Sequence, residues 1–173
     1  VPSLIWDQTA KELAAEGFRV LRPDLYGRGF SDRPRQRYTR ELFSGQVAEL
    51  AEKIFSGRPY SVVGISLGGA IAADVAANHS ASVERLVLVS PFTIGFNVTP
   101  LQVPLLADYL ATGMLVPKLL PGLQNLFADP ALMPADWRER YSVQLTIKGF
   151  RRSFISTLVN FSSRDQLDLY TRI

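Results

Sequence analysis

Cysteine is absent from the 173 residues and histidine occurs once. The first absence removes disulfides, thiolate catalysis and cysteine-based metal sites together, so stability must come from packing. The second leaves His79 as the one imidazole in the chain for acid–base chemistry. Long apolar runs are missing as well. The most apolar region, 101–126, is broken by Pro104, Asp108, Pro117, Lys118 and Pro121, and nothing in it reaches the roughly 20 apolar residues of a membrane span. No integral membrane segment is therefore expected. The chain opens Val1-Pro2-Ser3-Leu4-Ile5-Trp6-Asp7, without the basic start and apolar stretch of a secretory leader, and a cytoplasmic location is the resulting expectation. Strong charge of one sign is lacking too. The net charge is +3, with both signs interspersed along most of the length, which describes a solvated surface and excludes a nucleic-acid partner from the expectations.

What is present is a core. Hydrophobic residues make up 47% of the chain and charged ones 20%, enough for one globular domain with an elaboration. Trp6, Ala10, Leu13 and Ala14 recur at helical spacing ahead of Gly17, which predicts a helix and its end. Phe18 to Arg22 reads as a short strand stopped by Pro23, followed by a polar loop holding Gly27 and Gly29. Leu42, Val47, Leu50, Ala51 and Ile54 predict a second helix, closed by Gly57 and Arg58-Pro59. Tyr60 to Val63 is a second strand, Ala70 to Ala77 a small-residue helix suited to close packing on a sheet, and Arg85 to Val89 a third strand. Their continuous apolar character predicts parallel strands covered on both faces. After Ser90-Pro91 the alternation stops, and from Asn97 to Ile173 Leu-rich and Arg-rich helical segments are punctuated by proline.

Between the second strand and the small-residue helix stands Gly64-Ile65-Ser66-Leu67-Gly68. A serine hydroxyl is a poor nucleophile, and an enzyme that uses one must expose it, set a base beside it and stabilise the oxyanion it creates. Gly64 and Gly68 leave room for a sharp strand-to-helix turn that lifts Ser66 above the sheet. The Leu67 amide then points into the site, at the positive end of the helix. The alternative is a glycine-rich turn whose serine caps the helix.

Three segments in order resemble the α/β-hydrolase family, in its serine esterase, lipase and C–C hydrolase group. They are Arg22 to Pro34, similar to the loop after the strand that precedes the elbow; Val63 to Ala70, similar to the elbow; and Val83 to Pro91, similar to the next strand. The resemblance implies an α/β fold: an incomplete α/β-hydrolase core, a parallel sheet flanked by helices, over residues 1–93, and a mostly helical cap or lid over 94–173. It also implies a serine hydrolase with no cofactor and no metal, Ser66 as nucleophile, the Leu67 amide as half of an oxyanion hole, and a small-molecule ester or acyl substrate. A serine in place of the aspartate of epoxide hydrolases and haloalkane dehalogenases argues against those two chemistries. The family's His-Gly oxyanion loop precedes the segment resembling Val1 to Asp7, and its acid and histidine follow the cap. The chain is therefore expected to be an internal fragment, without turnover by itself.

The remaining polar candidates have structural explanations. His79 lies about thirteen residues beyond Ser66, roughly 20 Å along a helix, and reads as a helix-end residue. Asp165 and Asp168 read as a solvated helix face, and Asp24 and Asp32 as turn formers in the glycine loop, with Arg28 reaching a neighbouring carboxylate. Leu101, Val103, Leu105, Leu106, Leu110, Met114, Leu115, Leu119, Leu120, Leu123, Leu126 and Phe127 are expected to build mostly the cap's own core, with an exposed remainder for an acyl chain. Arg138, Arg140, Lys148, Arg151 and Arg152 are expected on a solvated face, an acidic headgroup being the alternative. For function, an ester hydrolase leads; a C–C bond hydrolase of ring-cleavage products and a non-catalytic binding module are the alternatives. Oligomeric state is not legible in these residues.

Overall fold

The computed structural model describes residues 2–119, 129 and 133–173. In chain order its main elements are α1 (Asp7–Ala15), α2 (Arg40–Phe55), β1 (Tyr60–Ile65), α3 (Leu67–Asn78), β2 (Val83–Val89), α4 (Pro104–Leu110), α5 (Trp137–Thr146), α6 (Phe150–Thr157) and α7 (Leu167–Tyr170). They fall into two compact units, Gln36–Asn97 with Ser156–Ile173, and Val1–Arg35 with Val98–Ile155.

The first unit is α/β. Thr39 starts α2 by accepting the Leu42 amide at 3.3 Å, the capping role that threonine's short hydroxyl suits. β1 and β2 pair in parallel from Tyr60↔Val83, through a register shift, to Ile65↔Val89. Two parallel neighbours need a crossover, and α3 supplies it. Its run from Gly69 to Val75 is buried, because glycine and alanine let the helix backbone lie close to the strands. Val62, Ala72 and Val75 centre that core, with Val47, Tyr60, Val83, Leu86 and Leu88 packed around them. A second cluster joins Tyr38, Phe43, Phe161 and Phe92 through ring contacts of 6.0 to 6.3 Å.

The sheet departs from the expected two-sided burial. Side chains alternate across a strand, and on the face away from the core Val63, Val87 and Val89 keep 45%, 48% and 41% of their surface exposed. Among the described residues no further strand joins the ladder, and this face of it stays partly open to solvent. Phe18 to Arg22 forms no strand, since a segment becomes a strand only through a ladder partner.

The second unit is helical and loop-rich. A turn of 3₁₀-helix, Ser3–Trp6, leads into α1, which forms where the apolar spacing predicts yet buries none of its residues. Asp7 holds it in place by ion pairs with Arg22 and Arg140. Burial by itself raises the Asp7 carboxyl, but the hydrogen bonds and charge of the two arginines outweigh it and hold the carboxyl below its ordinary value. Among the described residues, the Leu-rich stretch does not build the expected core. Ala107 and Ala111 are its buried residues, while Leu105 is 87% exposed and Val103, Leu106 and Met114 stand in solvent; Leu101, Leu110, Leu115 and Leu119 are half-buried. Ala107 of α4 and Ala111 in the helical turn that follows it are four residues apart and form the buried side, and the larger side chains fall on the other faces. Leu120, Leu123, Leu126 and Phe127 lie outside the described residues. Arg138 and Lys148 are exposed as expected, while the rest of the basic group is engaged: Arg140 pairs with Asp7, Arg151 with Asp108 at 3.0 Å, and Arg152 donates to the carbonyls of Arg33 and Pro34. No helix of the described residues is long and apolar enough to cross a membrane.

Candidate active site

β1 ends at Ile65 and α3 begins at Leu67, so the whole change of direction falls on Ser66, with φ 51° and ψ −121°. A residue with a Cβ pays about 1–3 kcal/mol for such a conformation and keeps it only where its surroundings enforce it. The turn is tight on one side. A Cβ at Gly64 would stand 2.1 Å from the Gly68 carbonyl oxygen, and one at Gly69 would stand 2.8 Å from Cβ of Pro91. At Gly68 a Cβ would meet nothing within 4 Å. The second glycine of the motif is thus not needed for its own space: its carbonyl occupies the space that Gly64 leaves, and Gly69, outside the motif, makes the other close approach.

Three backbone hydrogen bonds hold the strained residue. The Ser66 amide donates to the Val89 carbonyl at 3.0 Å, and the Ser66 carbonyl accepts from Gly69 at 2.8 Å and from Phe92 at 2.9 Å. At about 0.5–1.5 kcal/mol each, together they match the strain they restrain. The Ser66 side chain is exposed and makes no capping hydrogen bond to α3. A serine whose purpose is to cap would accept an amide of the first turn. Leu67 opens a helix of 12 residues, which sets its amide at the positive end of the helix dipole.

A second left-handed residue follows on the neighbouring strand. Ser90 has φ 42° directly before Pro91, and it turns the chain leaving β2 back across the elbow, where the Phe92 amide reaches Ser66. Residues 92–96 are then tied to 162–170. Tyr170 donates its hydroxyl to the Phe92 carbonyl at 2.7 Å, Gln166 its amide to Thr93 at 2.8 Å, and Phe96 its amide to Ser162 at 2.8 Å. Burial raises the Tyr170 phenol above its ordinary value against the smaller effect of Arg40, which keeps its proton available for donation. Within α3, Asp74 is 2% exposed; it pairs with Arg40 at 2.9 Å and accepts from Ser44 at 2.6 Å.

The other sequence candidates disperse. His79 is the exposed residue at the far end of α3, its amide bonded to Val75 at 2.8 Å; the helix between it and Ser66 spans about 18 Å. Asp165 does not belong to a solvated helix face: its carboxylate accepts the Gly95 amide at 2.7 Å. Asp168 is exposed in the first turn of α7. In the second unit Asp24 forms the glycine loop as expected, accepting the amides of Ser3 at 2.7 Å and Phe30 at 2.9 Å, and the Asp32 carbonyl accepts from Gly27. Arg28 is buried, with its guanidinium 5.9 Å from the Phe154 ring. Sequence reasoning missed Gly69, Ser90, Phe92, Tyr170 and Asp74. The glycine doublet 68–69 and the Ser-Pro after a strand were visible signals for the first two; Tyr170 and Asp74 had none.

Comparison with known proteins places this arrangement. The model of the alpha/beta hydrolase family matches residues 1–169. An uncharacterized protein of Mycobacterium tuberculosis is 31% identical over 126 residues, 70% of this chain and 36% of that protein. A 2-hydroxymuconate semialdehyde hydrolase of Pseudomonas sp. (strain CF600) is 33% identical over 95 residues, 54% of this chain and 33% of the relative. Among solved structures, an esterase from Exiguobacterium antarcticum superposes with a TM-score of 0.73 at 20% identity, over 99% of this chain and 66% of that one. The chain thus spans about a third of the length of the curated relatives it matches.

Proposed function

The chain belongs to the alpha/beta hydrolase family, and from that membership we propose that it carries the nucleophile of a carboxylic ester hydrolase of the esterase or monoacylglycerol-lipase type. The observation that carries the reading is Ser66: a strained, exposed serine between a parallel strand and a helix, with a hydroxyl that has no capping duty. In the proposed reaction Ser66 Oγ attacks the ester carbonyl carbon as its proton passes to a general base, and the Leu67 amide donates to the oxyanion. Collapse expels the alcohol, and water then attacks the acyl-serine to release the acid and restore the hydroxyl. One oxyanion donor is worth on the order of 10²–10³ in rate.

His79, at the other end of α3, is too far to be that base, and on this reading the histidine and acid of the triad are supplied by the full-length protein. The chain alone is expected to lack turnover for the same reason. The choice of apolar acyl or small lipid esters rests on the leucine-rich residues of 94–173, read as the cap or lid region beside a core of residues 1–93. No cofactor or metal enters the proposed chemistry.

The test uses the full-length protein with a fluorophosphonate and a panel of p-nitrophenyl and monoacylglycerol esters. Ser66 labelled, esters hydrolysed, and both lost in Ser66→Ala is the expected result. Inert esters with Ser66 unlabelled would overturn the reading. A second reading, a C–C bond hydrolase of ring-cleavage products, draws on the 33% identity to the 2-hydroxymuconate semialdehyde hydrolase; turnover of vinylogous diketo acids alongside inert esters selects it.

A further inference from the structure

The elbow is braced from a distance. Ser66 holds a conformation it would not keep unaided, and the direction of its carbonyl, which the ψ of −121° describes, is set by two amides, Gly69 and Phe92. Gly69 lies three residues away and follows from the start of α3. Phe92 is different, because it reaches Ser66 only after Ser90, at φ 42°, has reversed the chain leaving β2. Its position therefore depends on whatever fixes residues 92–96.

That fixing comes from the C-terminal residues of the same unit. The Phe92 ring stacks edge-on against Phe161 at 6.3 Å and contacts Phe96 at 5.3 Å. Gly95 donates to the Asp165 carboxylate at 2.7 Å, and a Cβ at Gly95 would stand 2.7 Å from the Ser163 backbone. Beside these ring contacts, a side-chain hydrogen bond bears directly on the backbone of the residue that touches Ser66: the Tyr170 hydroxyl donates to the Phe92 carbonyl at 2.7 Å. An unbroken series of hydrogen bonds and covalent links thus runs from Tyr170 through Phe92 to the Ser66 carbonyl.

We infer that Tyr170 is a positioning residue for the nucleophile: its hydroxyl, acting through Phe92, holds the Ser66 backbone in the geometry that presents Oγ. The inference rests on the reading of Ser66 as nucleophile. Without the Tyr170 hydroxyl the ring still fills its place, but the Phe92 carbonyl loses its donor and the strap is freer to move away from Ser66. The strap meets the backbone of Ser66 itself, so the loss is expected on the chemical step. Misplacing a reacting group by about 1 Å can cost on the order of a hundred-fold in rate, and a smaller shift correspondingly less.

The experiment is Tyr170→Phe in the full-length protein, with Thr171→Ala as the neighbouring control. The expected result is a fall of about ten-fold or more in kcat for a p-nitrophenyl ester and in the rate of fluorophosphonate labelling at Ser66. KM stays within two-fold, the melting transition stays cooperative, and Thr171→Ala behaves as wild type. Incorporating 3-fluorotyrosine at 170, which keeps the hydroxyl, restores the rate. Wild-type labelling and kcat in a folded Tyr170→Phe, or a rate loss only in proportion to unfolded protein, overturns the inference while leaving the nucleophile reading intact. A wild-type protein unlabelled at Ser66 overturns both. Should Tyr170→Phe not fold, hydrogen exchange at the Phe92 amide of the wild type decides: protection is expected, and exchange at the unprotected rate overturns the inference.

Discussion

The two compact units are held by different means. In Gln36–Asn97 with Ser156–Ile173, small residues, a parallel ladder and backbone hydrogen bonds do most of the work, and its buried charge, Asp74, is paired with Arg40 and bonded by Ser44. In Val1–Arg35 with Val98–Ile155, side chains substitute for a sheet: Asp7 gathers Arg22 and Arg140, Asp24 gathers two amides, and Arg152 gathers two carbonyls. A serine held in a strained conformation needs surroundings that do not yield, and backbone geometry supplies them better than long, half-exposed side chains, which lose rotamer entropy to make each contact. The difference explains why the strained elbow sits in the first unit.

The sharpest way to break that contrast is Gly64→Ala. Its Cβ has no room beside the Gly68 carbonyl, backbone cannot give way as a side chain does, and a loss exceeding about 4 kcal/mol, or failure to fold, is expected in urea denaturation. Gly68→Ala, four residues on, is the matched control and should change stability by no more than about 1 kcal/mol, since its Cβ points into open space. Equal effects at the two positions would refute the account of the elbow. Next in size is Asp74→Ala, which removes the buried carboxylate of Arg40 and leaves it Gln166 and the longer, exposed contact with Glu41; a loss on the order of 3 kcal/mol is expected in the same measurement.

Changes in the second unit should be gentler. Asp24→Ala removes the acceptor of the Ser3 and Phe30 amides and should cost about 1–2 kcal/mol, read by denaturation and by faster proteolysis of the 22–34 loop. Asp7→Asn should cost under about 1 kcal/mol, because its partners are each 41% exposed. Its effect depends on pH in a definite direction. The folded-state carboxyl titrates below its ordinary value of 3.8, so the unfolded chain binds the proton more readily. The stabilisation is present above that value and is lost as the pH falls through it towards the folded value. Asp7→Asn should therefore flatten the acid limb of the stability profile and leave the neutral plateau lowered slightly; an unchanged acid limb would show that the arginines contribute nothing there.

What could be read in the residues followed the range of the interactions. α2, β1, α3 and β2 were legible because periodicity, glycine and capping signals act within a few residues, and the elbow was legible because strand, turn and small-residue helix adjoin in the chain. The strand expected at Phe18 to Arg22 finds no ladder partner among the described residues, which no local pattern reports. The leucines around α4 failed as a core because amphipathic spacing does not say which face meets a neighbour, and here Ala107 and Ala111 took that place. Asp165 looked like a surface carboxylate until the chain brought Gly95 to it.

By itself the sequence determined that a serine would stand at a sharp turn after a parallel strand and before a helix of small residues. Local sterics are enough for that, since Gly64 alone decides whether the Gly68 carbonyl can approach. Only the tertiary structure decided that Ser66 would be held from behind by Phe92, and Phe92 by Tyr170, residues 26 and 104 positions further along. Contacts at that separation form only after the intervening chain has folded, and no spacing rule encodes them.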